Sequence, residues 1–252
     1  MTEDKYISIG TWNVEYAHNA RNSDRLALLI HNPADIWILT ETHSSLDLSA
    51  THTPYRSAPR PITHNKIDAE STWVTIWSRY ELCERIDVPD PRRQVAAIFN
   101  TSVGKVSVAG VVLPWHADIG DEPANSPPAE WDEHRRVVRV EMPELLERLF
   151  SERDCRHVLA GDFNTVLASP GYGEGSECMD ALNTMLLLHG LAAHTMHIPY
   201  LNPPYKWLPH QNLIDHICTD FKQPQSLTTW VGDDGQVPRL SDHPGVVARF
   251  LA

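Results

Sequence analysis

The first 41 residues read as a strand, a helix and a second strand, an order that restricts the chain to a small set of folds. Residues 7–12 and 35–39 are short apolar runs, and residues 24–31 between them have the apolar spacing of a helix. Two strands joined by one helix pair in parallel through a right-handed crossover, so their carboxyl ends lie at the same edge of the sheet. Asn13 and Glu41 follow these strands, and we therefore expect their side chains to lie close together.

Further strands are predicted along most of the chain. Runs rich in Val, Ile and Trp at residues 72–77, 94–100 and 105–113 are separated by turns that contain proline or glycine, which predicts successive antiparallel strands. Apolar runs at 156–160 and 246–250 predict two buried strands beside polar residues. Several strands of this kind favour sheet-on-sheet packing.

Two helices and two long loops complete the pattern. Residues 130–150 have helical spacing, although Pro143 should kink or split the helix, and residues 176–189 predict a second helix that ends before a glycine. Segments 118–129 and 198–209 are rich in proline and turn residues. Loops of this length in a compact domain often border a binding site.

The composition is that of an ordinary globular chain. Its 252 residues suffice for one large α/β domain, and we predict a single catalytic domain over residues 1–252. No apolar run approaches the roughly 18 to 20 residues that span a bilayer, and the start of the chain lacks the features of a secretory signal. Four scattered cysteines without a CxxC pair fit a reducing compartment. We therefore predict a cytoplasmic protein without a membrane span.

The charge is uneven along the chain. A net charge of −12 argues against strong binding of a polyanion by the whole surface. Segment 51–106 nevertheless carries six acidic and eight basic residues, so it is mildly positive. The charges of this segment either are solvated at strand edges or form a rim that accepts a phosphate-bearing substrate. The basic residues are Arg56, Arg60, Lys66, Arg79, Arg85, Arg92, Arg93 and Lys105.

Six short polar signatures lie at the ends of strand-like runs. In chain order they are Thr11-Trp12-Asn13, Leu39-Thr40-Glu41, Leu113-Pro114-Trp115-His116, Gly161-Asp162-Phe163-Asn164, Leu213-Ile214-Asp215-His216 and Ser241-Asp242-His243. Hydrolysis of a phosphate ester needs a cation to neutralise phosphoryl oxygens, a positioned water and donors to the transition state. Carboxylates, amides and imidazoles in these signatures supply groups for all three tasks.

The ordered set resembles the endonuclease/exonuclease/phosphatase superfamily, which includes pancreatic-type deoxyribonucleases, abasic-site endonucleases, neutral sphingomyelinases and inositol polyphosphate 5-phosphatases. The resemblance extends from about Ile7 to Phe250. It implies an α/β fold of the four-layer sandwich type, in which two mixed, mainly antiparallel sheets pack face to face with helices outside. The site would lie at one end of the sandwich.

The resemblance also implies a metal site. Glu41 would be the principal ligand of Mg²⁺ or Mn²⁺, aided by Asn13 and Asp242. Hard oxygen donors of this kind suit these ions better than zinc.

The catalytic roles follow from the same resemblance. Asp162 would orient or deprotonate the attacking water, and the Asn164 amide would donate to a phosphoryl oxygen. His243 would contact the phosphate or act as the base, with Asp215 bound to its other ring nitrogen. The proton acceptor is therefore either Asp162 or His243.

Three further side chains are candidates for contact with substrate. His116 would touch the phosphate or the leaving group, and Trp115 would either stack on a base or sugar or pack in the core. Trp207 would line the site or pack in the core. The chain departs from many relatives at Thr40, where they carry Gln, and at Leu213, where they often carry Arg.

Together these features predict a Mg²⁺-dependent phosphodiesterase that acts on nucleic acid, DNA or RNA, or on a nucleotide-like ester, with no obligate protein partner. A phospholipid or inositol phosphate substrate for the same chemistry remains an alternative. A non-catalytic binding module is the third hypothesis, and it conflicts with the complete set of polar signatures.

Overall fold

Thirteen strands are present in the part of the chain that the computed structural model describes, namely residues 5–16, 21–63, 66–118, 130–151, 154–168, 176–199, 212–233, 235–236 and 238–252. They are β1 (Tyr6–Asn13), β2 (Ile36–His43), β3 (Thr53–Arg56), β4 (Pro59–Thr63), β5 (Lys66–Ser78), β6 (Glu81–Ile86), β7 (Gln94–Thr101), β8 (Gly104–Val112), β9 (Arg156–Asp162), β10 (Ala192–Ala193), β11 (Asp215–Thr219), β12 (Ser226–Trp230) and β13 (Gly245–Leu251).

These strands form two mixed sheets. The first sheet has the order β12-β13-β1-β2-β5-β3, with β4 also on β5, and the second has the order β10-β11-β9-β8-β7-β6. Each sheet has one parallel pair, β1 with β2 and β8 with β9, and its other pairs are antiparallel. Asn13 pairs with Thr40, which confirms that β1 and β2 end at the same edge.

The sheets pack face to face over an apolar core. Side chains of the first sheet such as Ile9 and Ile38 meet side chains of the second such as Val108 and Ala160. The outer face of the first sheet is covered by helix α1 (Asn22–His31), where Leu29 packs on tryptophans of β1 and β2. The remaining helices pack on the outer face of the second sheet. This arrangement confirms the predicted four-layer sandwich.

The helical segment after residue 130 is interrupted earlier than the sequence predicts. It consists of α2 (Asp132–Arg136), a π-helix (Val137–Glu141) and α3 (Met142–Leu149), with Pro143 in the first turn of α3. Because proline lacks an N–H and clashes with the carbonyl four residues earlier, the wider π-helical turn accommodates it. Helix α4 (Ser176–Leu188) ends before Gly190, as predicted.

No helix within these described residues has both the length and the apolar character that a bilayer crossing requires.

Candidate active site

The two sheets contribute opposite halves of one polar cluster. Asn13 ends β1 of the first sheet, and Asp162 ends β9 of the second. The Asn13 amide Nδ2 donates to Asp162 Oδ2 at 3.0 Å and to Glu41 Oε1 at 3.2 Å. The expected proximity of Asn13 and Glu41 is therefore present, and the same amide joins the sheets.

The backbone around this cluster adopts conformations that residues other than glycine rarely adopt. Glu41, Asn164, Glu15 and Tyr16 have φ values of 52°, 47°, 47° and 55°. Such left-handed backbone is uncommon for residues other than glycine and tends to occur at functional sites. Gly161, just before Asp162, has a φ of 135°, and a Cβ there would lie 2.0 Å from the Val111 carbonyl oxygen.

Asp162 is a buried carboxylate with a raised pKa. Burial, followed by the charge of Asp215, raises its pKa to about 7. Its Oδ1 accepts a hydrogen bond from the Asn164 backbone N–H at 2.8 Å. The Asn164 side chain donates to the Leu113 carbonyl at 2.9 Å, so it ties the end of β9 to the end of β8.

Asp215 and His243 form a tight pair beside Asp162. Asp215 faces Asp162 in the antiparallel register of β11 and β9, and its Oδ2 lies 2.6 Å from His243 Nδ1. Burial alone would lower the pKa of His243, but the charges of Asp215 and Asp162 raise it well above the ordinary value. The pair therefore keeps the imidazole charged near neutral pH and fixes Nδ1 as the nitrogen that donates to Asp215.

The loop that carries His243 is anchored to β1. Ser241 Oγ donates to the Asn13 carbonyl at 2.6 Å and accepts from the His243 backbone N–H at 2.9 Å. The Trp12 indole N–H donates to the His243 carbonyl at 2.9 Å. These bonds hold the last polar signature against the first.

Asp242 is oriented by an arginine that the sequence prediction missed. Arg239 Nη2 lies 3.3 Å from Asp242 Oδ2, and the same guanidinium forms two hydrogen bonds with Glu15 at 2.6 and 2.8 Å. Arg239 is only three residues before Asp242, but nothing in the sequence distinguishes it from a solvated surface charge.

The cluster fits a divalent cation. The carboxylates of Asp162 and Asp215 have oxygens within 4.8 Å of each other and of a ring nitrogen of His243, and Glu41 is joined to Asp162 through Asn13. Burial raises the pKa of Glu41, and Asp215 Oδ1 is buried without a hydrogen-bond partner among the described residues. A cation would neutralise these crowded carboxylates, and oxygen donors suit Mg²⁺ or Mn²⁺.

Asn13 presents its amide nitrogen to this cluster. Its Oδ1 accepts the Glu15 backbone N–H at 3.0 Å, on the side away from the carboxylates. The amide would have to turn before its oxygen could act as a metal ligand, since nitrogen of an amide is a donor and not a ligand.

The other predicted contact residues either follow β8 or fall outside the described residues. His116 is exposed, with its ring 5.9 Å from that of Trp131. Trp115 is half-buried, and its ring is 5.8 Å from that of Trp73. Trp207 belongs to the part of the chain that the structure does not describe.

Two buried histidines support the strand ends beneath the cluster. His134 Nδ1 donates to the Pro114 carbonyl at 2.6 Å, and its Nε2 lies 2.9 Å from Thr165 Oγ1. His216 Nε2 donates to the Thr165 carbonyl at 3.0 Å, and its Nδ1 lies 3.2 Å from Thr195 Oγ1. The loop after β9 is therefore held at Thr165 by side chains from α2 and β11.

Protonation of His216 is expected to destabilise the fold as the pH falls. Burial lowers its pKa to about 4, below the unfolded value of about 6.5. The unfolded chain therefore takes up the proton first, and the stability that neutral His216 provides is lost between pH 6.5 and 4. From pH 7 to 5 the linkage amounts to about 2 kcal/mol in the free energy of unfolding.

Urea unfolding at pH 7 and pH 5 measures this loss. His216→Gln should remove about 2 kcal/mol of the pH dependence, whereas exposed His31→Gln should keep all of it. Equal pH dependence in the wild type and His216→Gln would contradict the assignment.

This chain resembles a known protein family in sequence and solved structures in architecture. The sequence profile described as "Endonuclease/Exonuclease/phosphatase family" matches residues 10–243. No curated protein resembles the chain closely enough in sequence to count as a match.

Several solved structures share the fold. A variant of the 3′ phosphatase NExo from Neisseria, bound to a product DNA hairpin, has a TM-score of 0.69 at 21% identity and covers 97% of this chain and 99% of its own. TDP2 of D. rerio, in complex with a single-strand DNA product, has a TM-score of 0.67 at 15% identity over 98% of this chain and 99% of its own. An endonuclease/exonuclease/phosphatase from Beutenbergia cavernae has a TM-score of 0.67 at 16% identity over 98% of this chain and 72% of its own.

Proposed function

The chain belongs to the endonuclease/exonuclease/phosphatase family, whose members hydrolyse phosphate esters, and we propose that it is a Mg²⁺-dependent phosphodiesterase acting on nucleic acid. The observation that carries this proposal is the single cluster in which Asn13, Glu41 and Asp162 lie beside the Asp215–His243 pair. The cluster combines buried carboxylates, a charged imidazole and a cation-binding donor set, which are the groups that hydrolysis of a phosphodiester requires.

In this proposal Asp162 accepts the proton of the attacking water. A general base works best when its pKa lies near the working pH, and the pKa of Asp162 is raised to about 7. His243 is poorly suited to be the base because its pKa is raised well above its ordinary value.

The charged His243 is assigned the opposite task. With Nδ1 bound to Asp215, its Nε2–H is the donor that points away from this pair, and it would stabilise negative charge on a phosphoryl oxygen. Glu41, with Asp242 alongside, would hold the cation. When bound, the cation would neutralise phosphoryl charge and lower the pKa of a coordinated water.

Nucleic acid is favoured as the substrate over a phospholipid or an inositol phosphate. The NExo and TDP2 structures hold DNA products, and their chains align with this one over nearly their whole length. At 21% and 15% identity they are relatives in fold, so the substrate assignment belongs to the proposal and is tested directly.

Removal of the metal is expected to abolish turnover, and Mg²⁺ is expected to stabilise the folded chain. Excess EDTA should eliminate cleavage of a DNA oligonucleotide, and added Mg²⁺ or Mn²⁺ should restore it. A ligand at a hundred times its Kd stabilises the folded state by about 2.7 kcal/mol, so Mg²⁺ should raise the Tm measurably. The Glu41→Gln variant should lose most of this shift because it lacks the charge of one buried ligand.

The matched control is Glu84→Gln, which changes an exposed carboxylate on β6 and should keep the full Mg²⁺ shift. Absence of metal-dependent turnover on DNA, RNA, phospholipid and inositol phosphate substrates would exclude the proposed activity. Turnover of a lipid or an inositol phosphate alone would keep the chemistry and overturn the assigned substrate.

A further inference from the structure

A cationic cage adjoins the candidate active site. Arg60 lies between two aromatic rings, with its Cζ 3.7 Å from the ring centroid of Tyr16 and 4.2 Å from that of Trp73. Arg93 lies over the same Trp73 ring at 4.8 Å, and the Trp115 ring is 5.8 Å from it at an angle of 47°. We call these five residues the arginine cage.

The two guanidinium groups differ in how their charge is balanced. Arg93 is 9% exposed and forms an ion pair with Asp118, with Asp90 4.0 Å away. Arg60 forms no ion pair with any residue that the structure describes. Burial lowers the pKa of Arg60, and the charge of Arg93 also lowers it, whereas the charges of Tyr16 and Glu41 raise it. An anion would relieve the repulsion between the two guanidinium groups and replace the water that they lose on burial.

Both arginines also have unused hydrogen-bond donors. Arg60 Nε and Arg93 Nη1 are buried and have no hydrogen-bond partner among the described residues. A buried donor on a charged group that lacks a hydrogen-bond partner destabilises the folded state. Arginine presents its donors in a planar fork that matches the oxygens of a phosphate. The cage therefore has the charge and the donors for a phosphate group.

The cage lies next to the catalytic cluster and remains distinct from it. Tyr16 forms a side-chain hydrogen bond with Glu41, and Arg60 stacks on the Tyr16 ring. Asp162, which is assigned to the scissile phosphate, is linked to Glu41 through the Asn13 amide, whereas Arg60 is linked to Glu41 through Tyr16. An anion at Arg60 is therefore separate from the phosphate that is hydrolysed.

We propose that Arg60 binds the phosphate adjacent to the scissile one, while Trp115 stacks on an unpaired base beside it. This inference rests on the proposed phosphodiesterase function and narrows its substrate to single-stranded nucleic acid with at least two phosphates. The half-buried ring of Trp115 precedes His116 at the end of β8, so it offers a stacking surface near the cluster. A paired base could not stack there, because its faces are already covered by its neighbours in the duplex.

A similar arrangement elsewhere in the chain provides a matched control. Arg249 lies 3.4 Å from the ring centroid of Tyr6, and its Nε is also buried without a described partner. Arg249 pairs with Ser8, whereas the active site is at Asn13, at the other end of β1. Arg249 is therefore a stacked arginine with an unsatisfied Nε at the end of β1 opposite to the candidate site.

The test compares two substrates in Mg²⁺, a short single-stranded oligonucleotide and bis(p-nitrophenyl) phosphate, a diester with one phosphate. For Arg60→Ala, the ratio of kcat/KM for the oligonucleotide to that for the simple diester should fall about tenfold, chiefly through KM for the oligonucleotide. The slope of log affinity against log salt concentration should become shallower by about 0.7, which is the contribution of one phosphate contact with a single strand. Arg60→Lys should recover part of the ratio, and Arg249→Ala should keep it whole.

Two results would overturn the inference. Equal losses of kcat/KM on both substrates would mean that Arg60 contacts the scissile phosphate or supports the structure. An unchanged ratio of the two kcat/KM values together with an unchanged salt slope would mean that Arg60 does not bind the substrate. If Arg60→Ala does not fold, the wild type still decides. A 5′-phosphorylated dinucleotide, which carries two phosphates, and a longer single strand should have equal KM values. Cleavage of duplex DNA with the same KM would contradict a stacked, unpaired base. Failure of the wild type to cleave either substrate is a different outcome, since it removes the proposed function itself.

Discussion

Replacement of Asp162 by Asn is expected to lower kcat at saturating Mg²⁺ by about 10³-fold, within the range observed when a general base is removed. The two side chains have nearly the same shape, so the amide oxygen of the variant can still accept the hydrogen bond that Asp162 Oδ1 receives from the Asn164 backbone. The substitution removes the proton acceptor and one negative charge from the cluster. Steady-state kinetics on a single-stranded oligonucleotide measure the change.

Asp220→Asn is the matched control for this variant. Asp220 accepts hydrogen bonds from His157, which lies near the start of β9, whereas Asp162 is its last residue. The control should change kcat by less than about threefold, because Asp220 contacts the start of β9 and the catalytic cluster lies at the other end of that strand. An Asp162→Asn enzyme that retains a tenth or more of the wild-type kcat would exclude Asp162 as the base.

The second large effect is expected for the Asp215–His243 pair. His243→Ala and Asp215→Asn should each lower kcat/KM by about 10²-fold or more, because the first removes the donor to the phosphate and the second removes the group that orients it. Asp215 acts through His243, so the double variant should lose little more than His243→Ala alone. A double-mutant cycle measured on one substrate gives the coupling.

Stability measurements on the same variants distinguish a loss of His243 orientation from a loss of folded protein. His243→Ala leaves the fully buried Asp215 without the positively charged imidazole that pairs with it. Loss of one partner of a buried ion pair lowers the free energy of unfolding by about 3–5 kcal/mol. The double variant removes both charges and should be more stable than His243→Ala. Multiplicative losses of kcat/KM in the double variant would contradict the pairing, since they would mean that the two side chains act independently.

The sequence predicted the central strands and the polar ends of those strands well. Strands such as β1, β2 and β9 have apolar side chains on both faces because each lies between a partner sheet and a helix layer, and this burial is visible as continuous apolar runs. Since the polar signatures follow such runs directly, Asn13 and Glu41 could be placed at one sheet edge from the strand pattern, and the family resemblance implied that Asp162 lies at the same end.

The edge strands were not predicted from the sequence, because few of their residues are buried. β6 and β12 carry mostly exposed or half-exposed residues, and β3 has only one buried residue, Tyr55. β4 contains two prolines. Edge strands need few apolar side chains and tolerate proline, so their sequences resemble those of loops.

The arginine cage could not be predicted from local sequence. Arg60 and Arg93 stood among eight basic residues of one segment, where solvated charges and a phosphate-accepting rim were both open. Their stacking on Trp73 depends on how β4 and the start of β7 approach β5, which is a tertiary property. Tyr16 is three residues after Asn13, yet only the left-handed backbone at Glu15 and Tyr16 turns it toward Glu41.

The pairing of β1 with β13 has a consequence for how the protein is made. β1 lies between β2 and β13, and its partner residues in β13 lie more than 230 positions later in the chain, as Tyr6 opposite Leu251 illustrates. His243 comes just before β13, so a nascent chain that lacks this strand also lacks the charged imidazole and one neighbour of the strand that ends in Asn13. Contacts between such distant residues form slowly. A growing polypeptide of this topology therefore cannot complete the candidate site until β13 has been synthesised.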